Sequence, residues 1–83
     1  VLAMKTLILY GTLGCHLCEQ ALVMIAPLVI NEYNLVEVDI SDSDELMARY
    51  GIRIPVVVMQ ESEAEIGWPF DTVRFLSFLQ SSS

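Results

Sequence analysis

The chain has 83 residues, 54% of them hydrophobic and 18% charged, which suits one small domain with a limited core and leaves no room for a repeat array. Eleven acidic residues against four basic ones give a formal net charge of −7. Lys5, Arg49, Arg53 and Arg74 are scattered, so there is no basic stripe of the kind that tracks nucleic-acid phosphates or an anionic membrane surface. No window approaches the ~18 continuous apolar residues of a spanning helix.

Lys5–Tyr10 reads as a strand with apolar residues on both faces, as in a buried, parallel-type strand. The loop Gly11-Thr12-Leu13-Gly14 follows. From Cys15 to about Asn31 the pattern turns helical: Cys18, Leu22, Ile25 and Val29 recur at helical spacing, widened by Ala21 and Leu28. Pro27 removes one backbone donor and is expected to kink or shorten this helix near Val23. Leu35–Ile40 alternates, with Val36, Val38 and Ile40 on one face and Glu37 and Asp39 on the other. Ser41 then reads as the N-cap of a short acidic-start helix, which Tyr50-Gly51 ends. Val56–Met59 is a β-branched strand, Glu61-Ser62-Glu63 a turn, and Ala64-Glu65-Ile66 a short return strand. Asp71 caps a last helix, Thr72–Leu79, in which Val73, Phe75, Leu76, Phe78 and Leu79 are expected to bury one side.

The order is βαβαββα, an α/β arrangement of a four-stranded mixed sheet and three helices, with residues 1–83 forming a single domain. Met4 reads as a start, which makes Val1-Leu2-Ala3 a leader remnant or an appended scar, and Ser81-Ser82-Ser83 reads as a frayed tail. Without a targeting segment the expected location is cytoplasmic, where a structural disulfide would not persist but a catalytic one would.

The chain has two cysteines, and they sit three apart, in Cys15-His16-Leu17-Cys18, where a strand gives way to a helix. A dithiol so placed is a redox device more often than anything else. A thiol attacks as thiolate, and its ordinary pKa of about 8.5 must be lowered for this to happen near neutral pH. Unpaired backbone N–H groups and the positive dipole end in the first turn of a helix, where Cys15 is expected, do this. Cys18, one turn on and deeper, is then the resolving thiol that attacks the mixed disulfide. His16 between them either favours the thiolate as a cation, relays a proton as a neutral ring, or is a surface residue of little influence.

Tyr10 through Cys18, then Tyr50-Gly51-Ile52-Arg53-Ile54-Pro55-Val56, then Ile66-Gly67 leading through Trp68-Pro69-Phe70-Asp71 into a final helix, resembles the glutaredoxin family. The likeness runs from about Met4 to Gln80 and is closest to small bacterial glutaredoxin-like proteins with a Trp-Pro-Phe-Asp segment before the last helix. It implies a thioredoxin fold in its minimal form, a Cys15/Cys18 redox centre and a cis Pro55. The cis bond would leave the Ile54 backbone free to pair with an extended substrate lying across Cys15.

Departures from that family bear on the substrate. His16 and Leu17 replace a proline and an aromatic residue. Thr12 stands where a lysine usually meets a glutathione carboxylate. Arg53-Ile54-Pro55 replaces Thr-Val-Pro, and Gly67-Trp68 replaces a Gly-Gly pair; Trp68 either fills the γ-glutamyl site, offers a docking surface or, like Phe70, packs on the last helix. Arg53 is the one nearby cation left for an anionic tripeptide. Thioredoxins also keep a buried Asp in the strand before the dithiol, and Lys5–Tyr10 has none; Asp39, on the next strand, reads as partly exposed.

The resulting expectation is a thiol–disulfide oxidoreductase acting on protein disulfides or glutathione mixed disulfides, with no bound cofactor and no metal. Glutathione stays a candidate co-substrate with most of its usual contacts missing, the regenerating reductase is unknown, and the chain is expected to be a monomer. The alternatives are an iron–sulfur cluster shared across a dimer and a thioredoxin-fold interaction module with little turnover.

Overall fold

The computed structural model describes residues 4–82, so the expectations for Val1-Leu2-Ala3 and for Ser83 lie outside the described residues. The elements are β1 (Lys5–Gly11), α1 (His16–Val29), β2 (Tyr33–Asp39), a 3-10 turn (Ile40–Asp42), α2 (Asp44–Tyr50), β3 (Val56–Met59), β4 (Ala64–Gly67) and α3 (Thr72–Ser82). The strands form one mixed sheet in the order β2-β1-β3-β4. β1 runs parallel to β2 and antiparallel to β3, and β3 pairs antiparallel with β4.

The sheet separates two apolar clusters. On one face, Leu7, Leu9, Val57, Met59 and Ile66 meet Ala21, Ile25 and Val29 of α1 and Phe75 and Leu79 of α3. On the other, Val56 and Val58 meet Ile40 and Tyr50, with Tyr10, Leu46 and Ile54 at the margin. Period-two alternation along β1 and β3 supplies both faces, which is why Leu7–Tyr10 of β1 and all of β3 carry apolar or aromatic side chains. No helix among the described residues is long and apolar enough to cross a membrane.

Local chemistry moves several boundaries. α1 begins at His16 because Cys15 is its N-cap, and it ends at Val29 rather than near Asn31. Pro27 lies inside the helix without ending it at Val23: it leaves the Val23 carbonyl without its intrahelical donor, and the helix runs only two residues further, to Val29. β2 starts at Tyr33 and releases Ile40 into the 3-10 turn, whose cap is Asp39: its carboxylate accepts from the Ser41 N–H and hydroxyl. Ser43, not Ser41, therefore caps α2, its hydroxyl accepting from the Leu46 N–H at 3.2 Å. Val36, at this sheet edge, stays exposed. Gly51 ends α2 in a right-handed conformation, and a Cβ there would collide with the Met47 carbonyl oxygen.

Asp71 caps α3 as the sequence suggests, accepting from the Arg74 N–H at 2.8 Å. The helix continues through Ser81 and Ser82, so these two do not fray. It buries Phe75 and Leu79 while Val73 and Leu76 face solvent. The apolar stripe on α3 is therefore narrower than the sequence implies.

Candidate functional site

β1 delivers the chain to the dithiol through a tight turn. The Cys15 N–H reaches back to the Thr12 carbonyl at 3.4 Å, and Gly14 takes φ +79°, the third position of a type II turn, which disfavours a side chain. The turn sets Cys15 just outside α1 in an extended conformation, correcting the expectation that it lies in the first turn. Its sulfur accepts the Cys18 N–H at 3.1 Å, so the thiol itself caps the helix. A hydrogen bond to the charged form, with the dipole behind it, favours a thiolate at this position.

Cys15 and Cys18 are joined by a disulfide, with Cα atoms 5.2 Å apart. Cys15 is half-buried, whereas Cys18 is 8% exposed. Cys18 packs against the last residue of β1: a Cβ on Gly11 would stand 2.8 Å from its sulfur. Gly11 thus makes room for the inner thiol, a role that its place in an apparent loop does not reveal.

An open cleft of about 330 Å³ lies between α1 and β2, lined by both cysteines, Gly11, Leu9 and Leu22. Glu19, Glu37 and Asp39 line it as well. The parallel register sets Glu37 beside Leu9 and Asp39 beside Gly11. Two alternating acids on β2 were visible in the sequence; their arrival next to the dithiol required the strand pairing. The Ser41 hydroxyl, and then its N–H, hold the Asp39 carboxyl below its ordinary range. The described residues include no buried charged group, so carboxylates near Cys18 are cleft-lining rather than interior.

The other residues singled out from the sequence fall into three positions. His16 is exposed and its Nδ1 lies 3.5 Å from the Glu19 carboxylate, on the next turn of α1. Thr12 contributes its carbonyl to the turn. Arg53 is not free: it forms an ion pair with Glu65 at 2.5 Å and lies over the Tyr50 ring, 5.5 Å from its centroid. The hydrogen bond from Arg53, and then the charge of its guanidinium, pulls the Glu65 carboxyl below its ordinary range, while Tyr50, which donates to the same carboxylate at 3.3 Å, is raised first by burial and then by the negative charge of Glu65.

The Ile54–Pro55 bond is cis. Pro55 follows the antiparallel register that pairs Tyr10 with Val56, which carries it alongside Gly11 at the dithiol end of the sheet. The Ile54 N–H is already bonded to the Tyr50 carbonyl at 3.1 Å, correcting the expectation of a wholly free backbone there. The α2 terminus takes up that donor. Gly67 is exposed and a Cβ on it would meet nothing within 4 Å. Trp68 donates its N–H to the Pro55 carbonyl at 3.1 Å, and its half-buried ring packs edge-on to Phe70 against the core. A second cis bond, Trp68–Pro69, was not foreseen from the sequence. Among the described residues no group of three or more His, Cys, Asp or Glu gathers to hold a metal ion.

Comparisons with known proteins agree with this architecture. A structural-genomics target protein from X. campestris, XcR50, has a similar structure with a TM-score of 0.81 at 34% identity, over 93% of this chain and 99% of that one. Protein Ne2328 from Nitrosomonas europaea is similar with a TM-score of 0.75 at 25% identity, over 94% of each chain. No curated protein matched the sequence. The family model described as "Glutaredoxin-like domain (DUF836)" matches residues 6–80. With that match spanning both cysteines, the Ile54–Pro55 segment and α3, the chain belongs to the glutaredoxin-like family.

Proposed function

We propose that this protein is a thiol–disulfide oxidoreductase that reduces protein disulfides or glutathione mixed disulfides through Cys15 and Cys18. The observation that carries the reading is the placement of Cys15: more accessible than Cys18, and with its sulfur accepting a backbone N–H at the start of α1. In the reduced protein that N–H stabilises the Cys15 thiolate, which attacks a substrate sulfur and expels one thiolate. Cys18, one helical turn deeper, then attacks the Cys15 sulfur of the mixed disulfide. The second substrate thiol leaves and the Cys15–Cys18 disulfide forms. A thiol or dithiol reductase must return the pair to its reduced state, which fits a reducing cytoplasm.

Replacing Cys18 with Ser removes the resolving step and should leave adducts on Cys15 when the reduced variant is incubated with glutathione disulfide or with cell lysate. Mass spectrometry of the adducts separates a glutathione partner from protein partners. A Cys15 that traps nothing and titrates like an ordinary cysteine would falsify the proposal.

A further inference from the structure

The cleft beside the dithiol carries a charge pattern that sulfur exchange does not itself require. Its floor is apolar, built from Leu9 and Leu22 with Gly11, and Glu19, Glu37 and Asp39 stand around it beside the two cysteines. All three acids are exposed. Glu37 and Asp39 reach the cleft from alternate positions of one strand, opposite Glu19 on α1, so negative charge borders the opening from both walls. Asp39 uses one oxygen on Ser41, and Glu19 lies 3.5 Å from the exposed His16. None of the four basic residues lines the cleft. Arg53, the cation nearest in sequence to Pro55, is occupied by Glu65.

An apolar floor with acidic walls attracts a cationic segment and repels an anionic one, and concave low-dielectric walls sharpen that preference. We propose that this groove selects the disulfide partner of Cys15: a polypeptide segment whose cysteine is flanked by Lys or Arg, seated between α1 and β2. The inference rests on the oxidoreductase reading above and names its substrate class. The exchange balances as two successive sulfur displacements. Cys15 thiolate takes one sulfur of the cationic disulfide and releases the first peptide thiolate. Cys18, losing its proton to solvent, attacks Cys15 and releases the second. Two electrons and two protons pass from the dithiol to the peptide.

The test uses the protein reduced with dithiothreitol and then freed of it. Single-turnover oxidation is followed by acid quench and mass spectrometry. Three disulfides are compared: a homodisulfide of a Lys-flanked cysteine peptide, its Glu-flanked counterpart, and the neutral bis(2-hydroxyethyl) disulfide. The Lys peptide should react at least about tenfold faster than the Glu peptide at low salt, the lower end of electrostatic steering, with the ratio shrinking as salt is added. The triple variant Glu19→Gln, Glu37→Gln, Asp39→Asn should lose most of that ratio, each peptide rate being taken relative to the same variant's rate with the neutral disulfide. A control triple variant of equal charge change, Glu32→Gln, Glu45→Gln, Glu63→Gln, should keep the ratio. Equal peptide rates, or equal losses in the two triple variants, would overturn the groove's role while leaving the oxidoreductase reading intact. No reaction with any of the three disulfides would overturn both.

Discussion

Gly11→Ala is the most direct probe of how the fold holds its inner thiol. The new Cβ would lie 2.8 Å from the Cys18 sulfur and 3.1 Å from its Cβ. Ordinary non-bonded contact begins at about 3.5 Å, so the sulfur must give way by roughly 0.7 Å or β1 must shift. Neither is easy: Cys18 is anchored in α1, and Gly11 is paired to Asp39 in the sheet. Overpacking of this kind costs about 1–3 kcal/mol, which lowers the melting temperature by roughly 4–24 °C in a domain of this size.

The collision can be separated from a generic glycine effect. In the reduced protein, Cys18→Ala removes the sulfur and leaves only the milder Cβ contact. Thermal or urea unfolding of wild type, both single variants and the double variant, all reduced, should therefore show a coupling of about 0.5 kcal/mol or more, with Gly11→Ala milder when the sulfur is gone. Gly67→Ala supplies the contrast: its Cβ meets open space, so its effect should stay within about 0.5 kcal/mol. A Gly11→Ala protein as stable as wild type, or an equal penalty with and without the Cys18 sulfur, would refute the reasoning.

Three further expectations follow from the same geometry. Phe75→Ala should cost about 3–5 kcal/mol in denaturant unfolding because the ring is fully buried between α3 and the sheet, whereas Val73→Ala on the same helix, 76% exposed, should fall within about 0.5 kcal/mol. The Glu65 carboxyl is held below its ordinary range by Arg53, so the pair's stabilisation is present above the ordinary Glu value and is lost as the pH falls through the lowered one. Arg53 is half-exposed, so the difference between wild type and Glu65→Gln should be only about 0.2–1 kcal/mol at pH 7, vanishing in acid; a difference that ignores pH would count against the pair. His16→Ala should change the rate of Cys15 exchange by less than about threefold, since the ring is exposed and lies beside the Glu19 carboxylate, an interaction that solvent screens. A stopped-flow rate reduced tenfold would return His16 to the chemistry.

Much of this protein is legible one residue at a time. Apolar and β-branched runs, alternation in β2, helical spacing in α1 and cap signals at α2 and α3 identify the four strands and three helices, because burial and chain ends each leave a local mark on the sequence. The spacing of Cys15 and Cys18 likewise states that the two sulfurs lie a turn apart. The boundaries that moved are those settled by competition between neighbours: Asp39 takes the Ser41 N–H into a 3-10 turn, so capping of α2 passes to Ser43. Relations between distant segments needed the tertiary structure. Sheet pairing alone sets Glu37 and Asp39 beside the dithiol. Packing alone fits Cys18 against the bare backbone of Gly11. Arg53, a free cation as far as the sequence reveals, is neutralised by a residue twelve positions away, Glu65 on β4. The sequence by itself determined the fold and the reactive pair, since periodicity and short spacing are local. What surrounds that pair, and therefore which disulfides it should meet, is decided by strand order and register, which join residues that no local pattern connects.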